Sequence, residues 1–213
     1  KLQDIVTEAF NFKIPLIEVE DSIYSLELFH GPTYAFKDMG ARFLARCLAF
    51  FNESNSQEVT ILVATSGDTG GAVASGFYEV EGVNVVILYP SGKVSELQEK
   101  QLTTLGKNIT ALEVNGTFDD CQNLVKQAFL DQQLNDYLNL SSANSINIAR
   151  WLPQSVYYFE AFKQLEHQTE PVFSVPSGNY GNITAGILAH KMGLPVKRFI
   201  AASNQNDVIP RFL

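Results

Sequence analysis

Short apolar, β-branched runs alternate along most of the chain with segments whose apolar residues recur at helical spacing. Residues 59–65 (VTILVAT) are too few for a helix and are punctuated by Ser66-Gly67, so a buried strand is predicted. Residues 69–80 predict a helix with small residues on one face. A second strand is predicted at 83–89 (VNVVILY), ended by Pro90-Ser91-Gly92. Residues 95–105 predict a helix with Ser95 as its cap and Gly106 as its stop, followed by a strand at 109–114. Thr117 caps the next predicted helix, and Asp119 and Asp120 suit the positive end of its dipole. Residues 148–165 read as one long helix, with Trp151, Ser155, Tyr158 and Phe162 at helical spacing and Pro153 in its first turns. A strand at 172–175, a helix at 183–192 ended by Gly193 and Pro195, and a strand at 196–202 follow. Alternating strands and helices with short connections predict an α/β fold with mostly parallel, helix-flanked sheet.

Composition narrows the functions open to such a fold. The 213 residues suffice for one large domain or two small ones with real cores. A net charge of −8, from 23 acidic and 15 basic residues, has the wrong sign for a nucleic-acid surface. Any anion must then be held locally, by backbone amides and a few placed cations. Cys47 and Cys121 have no metal-ligand spacing and form no C-x-x-C, so they read as small core residues and no metal is expected. No apolar run approaches the ~20 residues of a membrane span, and no membrane partner is expected. No secretory signal precedes the sequon at Asn182-Ile183-Thr184, and a cytoplasmic location is expected. Lys1 stands where a start methionine would, and Asn206-Asp207 reads as the cap of a helix with almost no chain left to form it. The chain is therefore expected to be truncated at its C-terminal side.

Two junctions place glycines between a predicted buried strand and a helix start. The first is Thr65-Ser66-Gly67-Asp68-Thr69-Gly70-Gly71, the second Ser177-Gly178-Asn179-Tyr180-Gly181-Asn182. Glycine lets backbone N–H groups approach an anion, and the helix end adds about half a positive charge. Ligands of open parallel sheets bind beyond the carboxyl ends of strands, which is where both loops fall. Tight turns without a ligand are the plainer reading of either loop alone; two in one acidic chain favour anion binding. Nucleotide motifs are absent: Gly92-Lys93 and Gly106-Lys107 are followed by Val and Asn, and no G-x-G-x-x-G follows a strand. Asp68-Thr69-Gly70 matches the tripeptide of aspartic proteases, but that chemistry needs two carboxylates in an all-β frame. No G-x-S-x-G elbow marks a serine hydrolase.

Lys37 follows Tyr34, Ala35 and Phe36 and precedes a helical pattern carrying Phe43, Leu44, Cys47 and Leu48. A desolvated lysine near a helix N-terminus has a depressed pKa and becomes a usable nucleophile. Phe36-Lys37-Asp38, Ser66-Gly67-Asp68-Thr69-Gly70 and Ser177–Asn182, in this order and spacing, resemble the fold-type II pyridoxal-phosphate enzymes. Four further stretches are similar to the threonine synthase family of the longer bacterial and fungal type. They are residues 28–33 (LFHGPT), 88–93 (LYPSGK), 142–147 (SANSIN) with Arg150, and 196–202 (VKRFIAA).

The resemblance implies a tryptophan synthase β-like architecture with two open helix-flanked sheets, the larger domain being incomplete. A small inserted domain would span 42–140, and residues 1–41 and 141–213 would form part of the large cofactor-binding domain. Lys37 would hold pyridoxal 5'-phosphate as a Schiff base and shuttle protons. Ser177, Gly178, Asn179, Tyr180, Gly181 and Asn182 would cradle the cofactor phosphate. Ser66, Gly67 and Thr69 would bind the substrate carboxylate. Asn144, Ser145 and Arg150 would take the substrate phosphate, with Lys93 a weaker candidate for the same task. Asp68 stands where many relatives carry an asparagine facing the cofactor's phenolic oxygen; it is either protonated or turned elsewhere.

The reaction implied is conversion of O-phospho-L-homoserine and water to L-threonine and phosphate, by γ-elimination and β-addition of water. No protein partner is evident. The rival readings are another fold-type II lyase, such as a serine/threonine dehydratase, and a non-catalytic phosphate-binding fragment.

Overall fold

The computed structural model describes residues 1–52, 58–144, 147–165, 170–205 and 208–212. In chain order its elements begin with α1 (Leu2–Ala9), β1 (Leu16–Glu20), β2 (Ile23–Leu26), α2 (Asp38–Asn52), β3 (Val59–Ala64) and α3 (Asp68–Phe77). They continue with β4 (Val83–Pro90), α4 (Glu96–Thr103), β5 (Ile109–Val114), α5 (Phe118–Leu130), α6 (Gln132–Tyr137) and β6 (Asn139–Ser142). The last are α7 (Ile148–Trp151), a 3-10 turn at Leu152–Gln154, α8 (Ser155–Gln164), β7 (Val172–Pro176), α9 (Gly181–Lys191), β8 (Arg198–Ala202) and α10 (Val208–Phe212). Asn206 and Asp207, read above as a cap, lie outside the described residues. The chain divides into two compact units, Lys1–Lys13 with Leu28–Arg150, and Ile14–Glu27 with Trp151–Leu213.

The first unit is built on a four-stranded parallel sheet in the order β5-β4-β3-β6. β3 is buried along its whole length. Side chains alternate across a sheet, so its odd and even residues serve different layers. Val59, Ile61 and Val63 pack with Val83, Val85 and Ile87 of β4, with Leu44 of α2, and with Val73 and Phe77 of α3. Leu62, Ala64 and Leu88 face the other way, onto Cys121 and Val125 of α5. Two buried faces explain why VTILVA reads as an uninterrupted apolar run. Small residues bring α3 close to α2: a Cβ at Gly76 would stand 3.1 Å from the Ala41 backbone.

Caps fix the helix starts. Ser95 and Gln98 form a capping box at α4, and Thr117 and Asp120 form another at α5. Parallel pairing puts the carboxyl ends of β4, β3 and β6 side by side. The segments following those ends carry Lys93, residues 65–71 and residues 143–150.

The second unit holds the parallel pair β7-β8 and the antiparallel hairpin β1-β2. The hairpin is tied to α8 where Leu16 N donates to Gln164 Oε1 at 3.0 Å. Tyr158 of α8 packs edge-on against Phe173 of β7 and Phe199 of β8, with centroids 5.0 and 5.8 Å away. One expectation fails here. The stretch 148–165 is not a continuous helix but α7, a 3-10 turn containing Pro153, and α8. Proline lacks the N–H of a helical bond, and the chain takes the tighter turn around it. Among the described residues no helix is long and apolar enough to cross a membrane.

Candidate active site

Lys37 immediately precedes α2, and its carbonyl accepts the helical bond from Ala41 N at 3.0 Å. Its side chain is only 18% exposed, and Nζ lies 3.8 Å from Asp68 Oδ2. The Phe36 ring lies beneath the same ammonium, 5.4 Å from its centroid. Burial pulls the amine below its ordinary range, opposed by the Asp68 carboxylate and reinforced by the Arg150 charge. A lysine so placed gives up its proton more readily than a surface lysine and is a better nucleophile.

Asp38, the next residue, is buried, and it is fastened by Thr33, whose N and Oγ1 donate to it at 2.9 and 2.5 Å. Burial raises its pKa, while the Thr33 bonds oppose the rise. Gly31 must remain glycine, since a Cβ there would stand 2.4 Å from Asp38 Oδ2. The His30–Thr33 stretch thus serves as a brace for the start of α2.

The first glycine turn is organised by a residue outside the expected set. Thr65 is fully buried, and its Oγ1 accepts from Gly67 N at 3.0 Å and Gly70 N at 2.8 Å. The same hydroxyl donates to Gly67 O at 3.1 Å. Two glycine amides expected to face an anion are therefore turned to Thr65. Gly67 takes φ +141, a conformation glycine alone adopts without strain. Ser66 is exposed and Thr69 half-buried at the start of α3. Asp68 is 50% exposed; Oδ2 faces Lys37 and Oδ1 accepts from Gln98 Nε2 at 2.6 Å.

Asn144 donates from Nδ2 to Ala64 O at 3.1 Å, tying the end of β6 to the end of β3. Arg150 is 2% exposed and donates from Nη1 to Ala143 O at 2.5 Å. Burial takes its pKa down to about 10, against the pull of the Asp38 charge. Ser145 lies outside the described residues. Lys93 is exposed on the turn after β4, where its charge is felt by Asp120 of α5 rather than by Lys37.

The second glycine turn lies in the second unit. Ser177 N donates to Ala202 O and Ser177 Oγ to Val175 O, each at 2.8 Å. Tyr180 caps α9 with φ +61, and Gly181 N donates to Asn179 Oδ1 at 3.2 Å. Tyr158 OH lies 2.6 Å from Asn182 Oδ1 and 2.9 Å from its carbonyl, and burial raises the phenol's pKa. Among the described residues, apart from its chain neighbours, no atom lies within 4 Å of a Cβ built at Gly178.

Each unit by itself presents one feature suited to an aldehyde-bearing phosphate cofactor. A poorly solvated primary amine fits the aldehyde. A glycine turn opening an eleven-residue helix, with room above Gly178, fits the phosphate. Among the described residues no cluster of His, Cys, Asp and Glu could hold a metal ion.

The fold is α/β, and its first unit carries a poorly solvated lysine at the start of α2 beside a glycine turn. Residues 12–213 match the pyridoxal-phosphate dependent enzyme family, and the chain belongs to it. Its architecture is that of fold type II. Threonine synthase from Serratia marcescens is 59% identical over 214 residues, covering 100% of this chain and 49% of the relative. The crystal structure of Escherichia coli threonine synthase superposes with a TM-score of 0.92 at 57% identity, covering 99% of this chain and 49% of that one. The PLP-bound threonine synthase from Brucella melitensis gives 0.89 at 44% identity, covering 98% and 47%. The chain spans about half the length of the curated relatives it matches.

Proposed function

We propose that the whole protein carrying this chain is a pyridoxal-phosphate-dependent threonine synthase, converting O-phospho-L-homoserine and water to L-threonine and phosphate. The observation that carries the reading is Lys37, a poorly solvated ammonium 3.8 Å from Asp68 beside a glycine turn, in a fold of this family. Likeness to threonine synthases across nearly the whole chain supports the particular substrate.

Lys37 Nζ is the residue to hold the cofactor covalently, and the turn Ser177–Asn182 is the one to hold its phosphate. Pyridoxal phosphate, when bound, supplies the electron sink for charge developing beside the amino group. Lys37 Nζ would take the proton from the substrate α-carbon and return protons as the reaction closes, a role suited to its lowered pKa. The Ser66–Thr69 turn would orient the substrate carboxylate. Asn144, Ser145 and Arg150 would take the substrate phosphate, with Lys93 a weaker candidate for the same task. A guanidinium grips phosphate in two places, which suits Arg150 to that role. Residues 42–140 would be the small domain of the complete fold, and the cytoplasm its location.

Purified whole protein with added cofactor should release phosphate from O-phospho-L-homoserine in step with threonine. It should also show a visible cofactor absorption band that Lys37→Ala abolishes. Turnover of serine or threonine without phosphate release from O-phospho-L-homoserine would favour a dehydratase instead. A folded protein that takes up no cofactor would leave only the phosphate-binding reading.

A further inference from the structure

Gln98 is a helix-capping residue that also reaches out of its own helix. As N3 of α4 it completes the capping box, its Oε1 accepting from Ser95 N at 3.2 Å. Its Nε2 donates to Asp68 Oδ1 at 2.6 Å, across thirty residues of sequence. The other oxygen of that carboxylate faces Lys37 Nζ at 3.8 Å. The amide also lies over Gly67, where a Cβ would stand 2.5 Å from its Cδ, Oε1 and Nε2. One end of the amide is therefore fixed by the helix cap and the other by the carboxylate. Asp68 is half-exposed, and Gln98 Nε2 holds its Oδ1.

We propose that Gln98 is a positioning residue for the cofactor lysine: it clamps Asp68 in the rotamer that serves as counter-ion to Lys37. This inference rests on the reading of Lys37 as the lysine that holds the cofactor. Asp68 and Arg150 are the charges felt at Lys37, pulling its protonation in opposite directions. Gln98, being neutral, acts only by where it holds Asp68. The arrangement accounts for an aspartate where a neutral asparagine would otherwise be expected, because Asp68 has an ammonium to face and an amide to hold it there. It also accounts for Gly67, since a side chain at that position would displace the clamp.

The test is the protonation midpoint of Lys37 in cofactor-free whole protein. It is read by competitive labelling with acetic anhydride across pH, with mass spectrometry of the Lys37 peptide. Gln98→Met keeps length and helix propensity but removes the amide donor. Asp68 then drifts from Lys37, and the midpoint falls. Below the midpoint the labelling rate rises by about threefold, the scale expected when one charge moves a few ångströms at a half-exposed site. Ser95→Ala removes the hydroxyl that donates to Gln98 Oε1 at 3.0 Å but leaves the bond from Ser95 N and the Nε2 donor, so the midpoint moves less than in Gln98→Met. Asp68→Asn lowers the midpoint at least as far, and adding Gln98→Met to it changes nothing more.

An unmoved midpoint in folded Gln98→Met would overturn the inference. So would a Ser95→Ala shift equal to that of Gln98→Met, or full additivity with Asp68→Asn. Failure of the parent reading looks different: borohydride would then fix the cofactor to a lysine other than Lys37.

Discussion

Replacing Thr65 by Val removes one oxygen and changes almost nothing else in shape, yet it should loosen the whole first glycine turn. The hydroxyl serves three partners in a buried setting, accepting from Gly67 N and Gly70 N and donating to Gly67 O. Valine leaves both amides without their acceptor. A buried group stripped of its partner costs about 1–3 kcal/mol. Some of that returns if Gly67 rotates toward water, so a net loss of about 2–4 kcal/mol is expected. Cavity terms are small because a methyl replaces the hydroxyl. The assay is urea unfolding of the whole protein, with hydrogen exchange of a peptide spanning residues 61–77 to localise the effect. Exchange at Gly67 and Gly70 should accelerate in Thr65→Val. Thr65→Ser, which keeps the hydroxyl and loses the methyl packed on Gly70, should retain their protection. A loss below about 0.5 kcal/mol with unchanged exchange would refute the account, since buried amides deprived of an acceptor cannot be that cheap.

Lys37→Met should make the cofactor-free protein more stable at pH 7, because burial lowers the pKa of the lysine and so penalises its charged form. The penalty is full below the folded value and is relieved as pH rises to the ordinary 10.5, so the advantage of Met should shrink toward that pH; a constant gap in urea midpoint between pH 7 and 10.5 would contradict this. Gly186→Ala should destabilise the second unit by about 1–3 kcal/mol through overpacking. Its Cβ would stand 2.6 Å from the Tyr158 ring and 2.7 Å from Phe199, and denaturation sensitivity equal to wild type would show that α9 yields freely.

Much of the fold was legible because it is local. Residues 59–64 and 83–90 announce themselves as strands, since burial on both faces leaves no room for a polar alternation. Ser95 and Thr117 announce helix starts because a cap is a bond between residues three apart. β6 carries no such signal. Its sequence NLSS is polar, and it is a strand only because residues 139–142 pair with Val59–Leu62. The long helix expected at 148–165 failed for a related reason. The aromatic spacing across it is helical, but Pro153 lets the backbone turn more tightly between α7 and α8.

The same division runs through the candidate site. Sequence by itself determined the residue types and their loops: a lysine before a helix, and two glycine turns opening helices after strands, the first strand buried throughout and the second buried only at Val175. It did not determine which polar atoms would meet. The bond from Asn144 to Ala64 spans eighty residues and that from Gln98 to Asp68 thirty. The partners of Asp68, Lys37 Nζ and Gln98 Nε2, come from elements distant in sequence. Glycine and proline constrain their own backbone, so their meaning survives in sequence. A carboxylate takes its partners, and hence its chemistry, from whatever the packing of distant elements brings within hydrogen-bond reach.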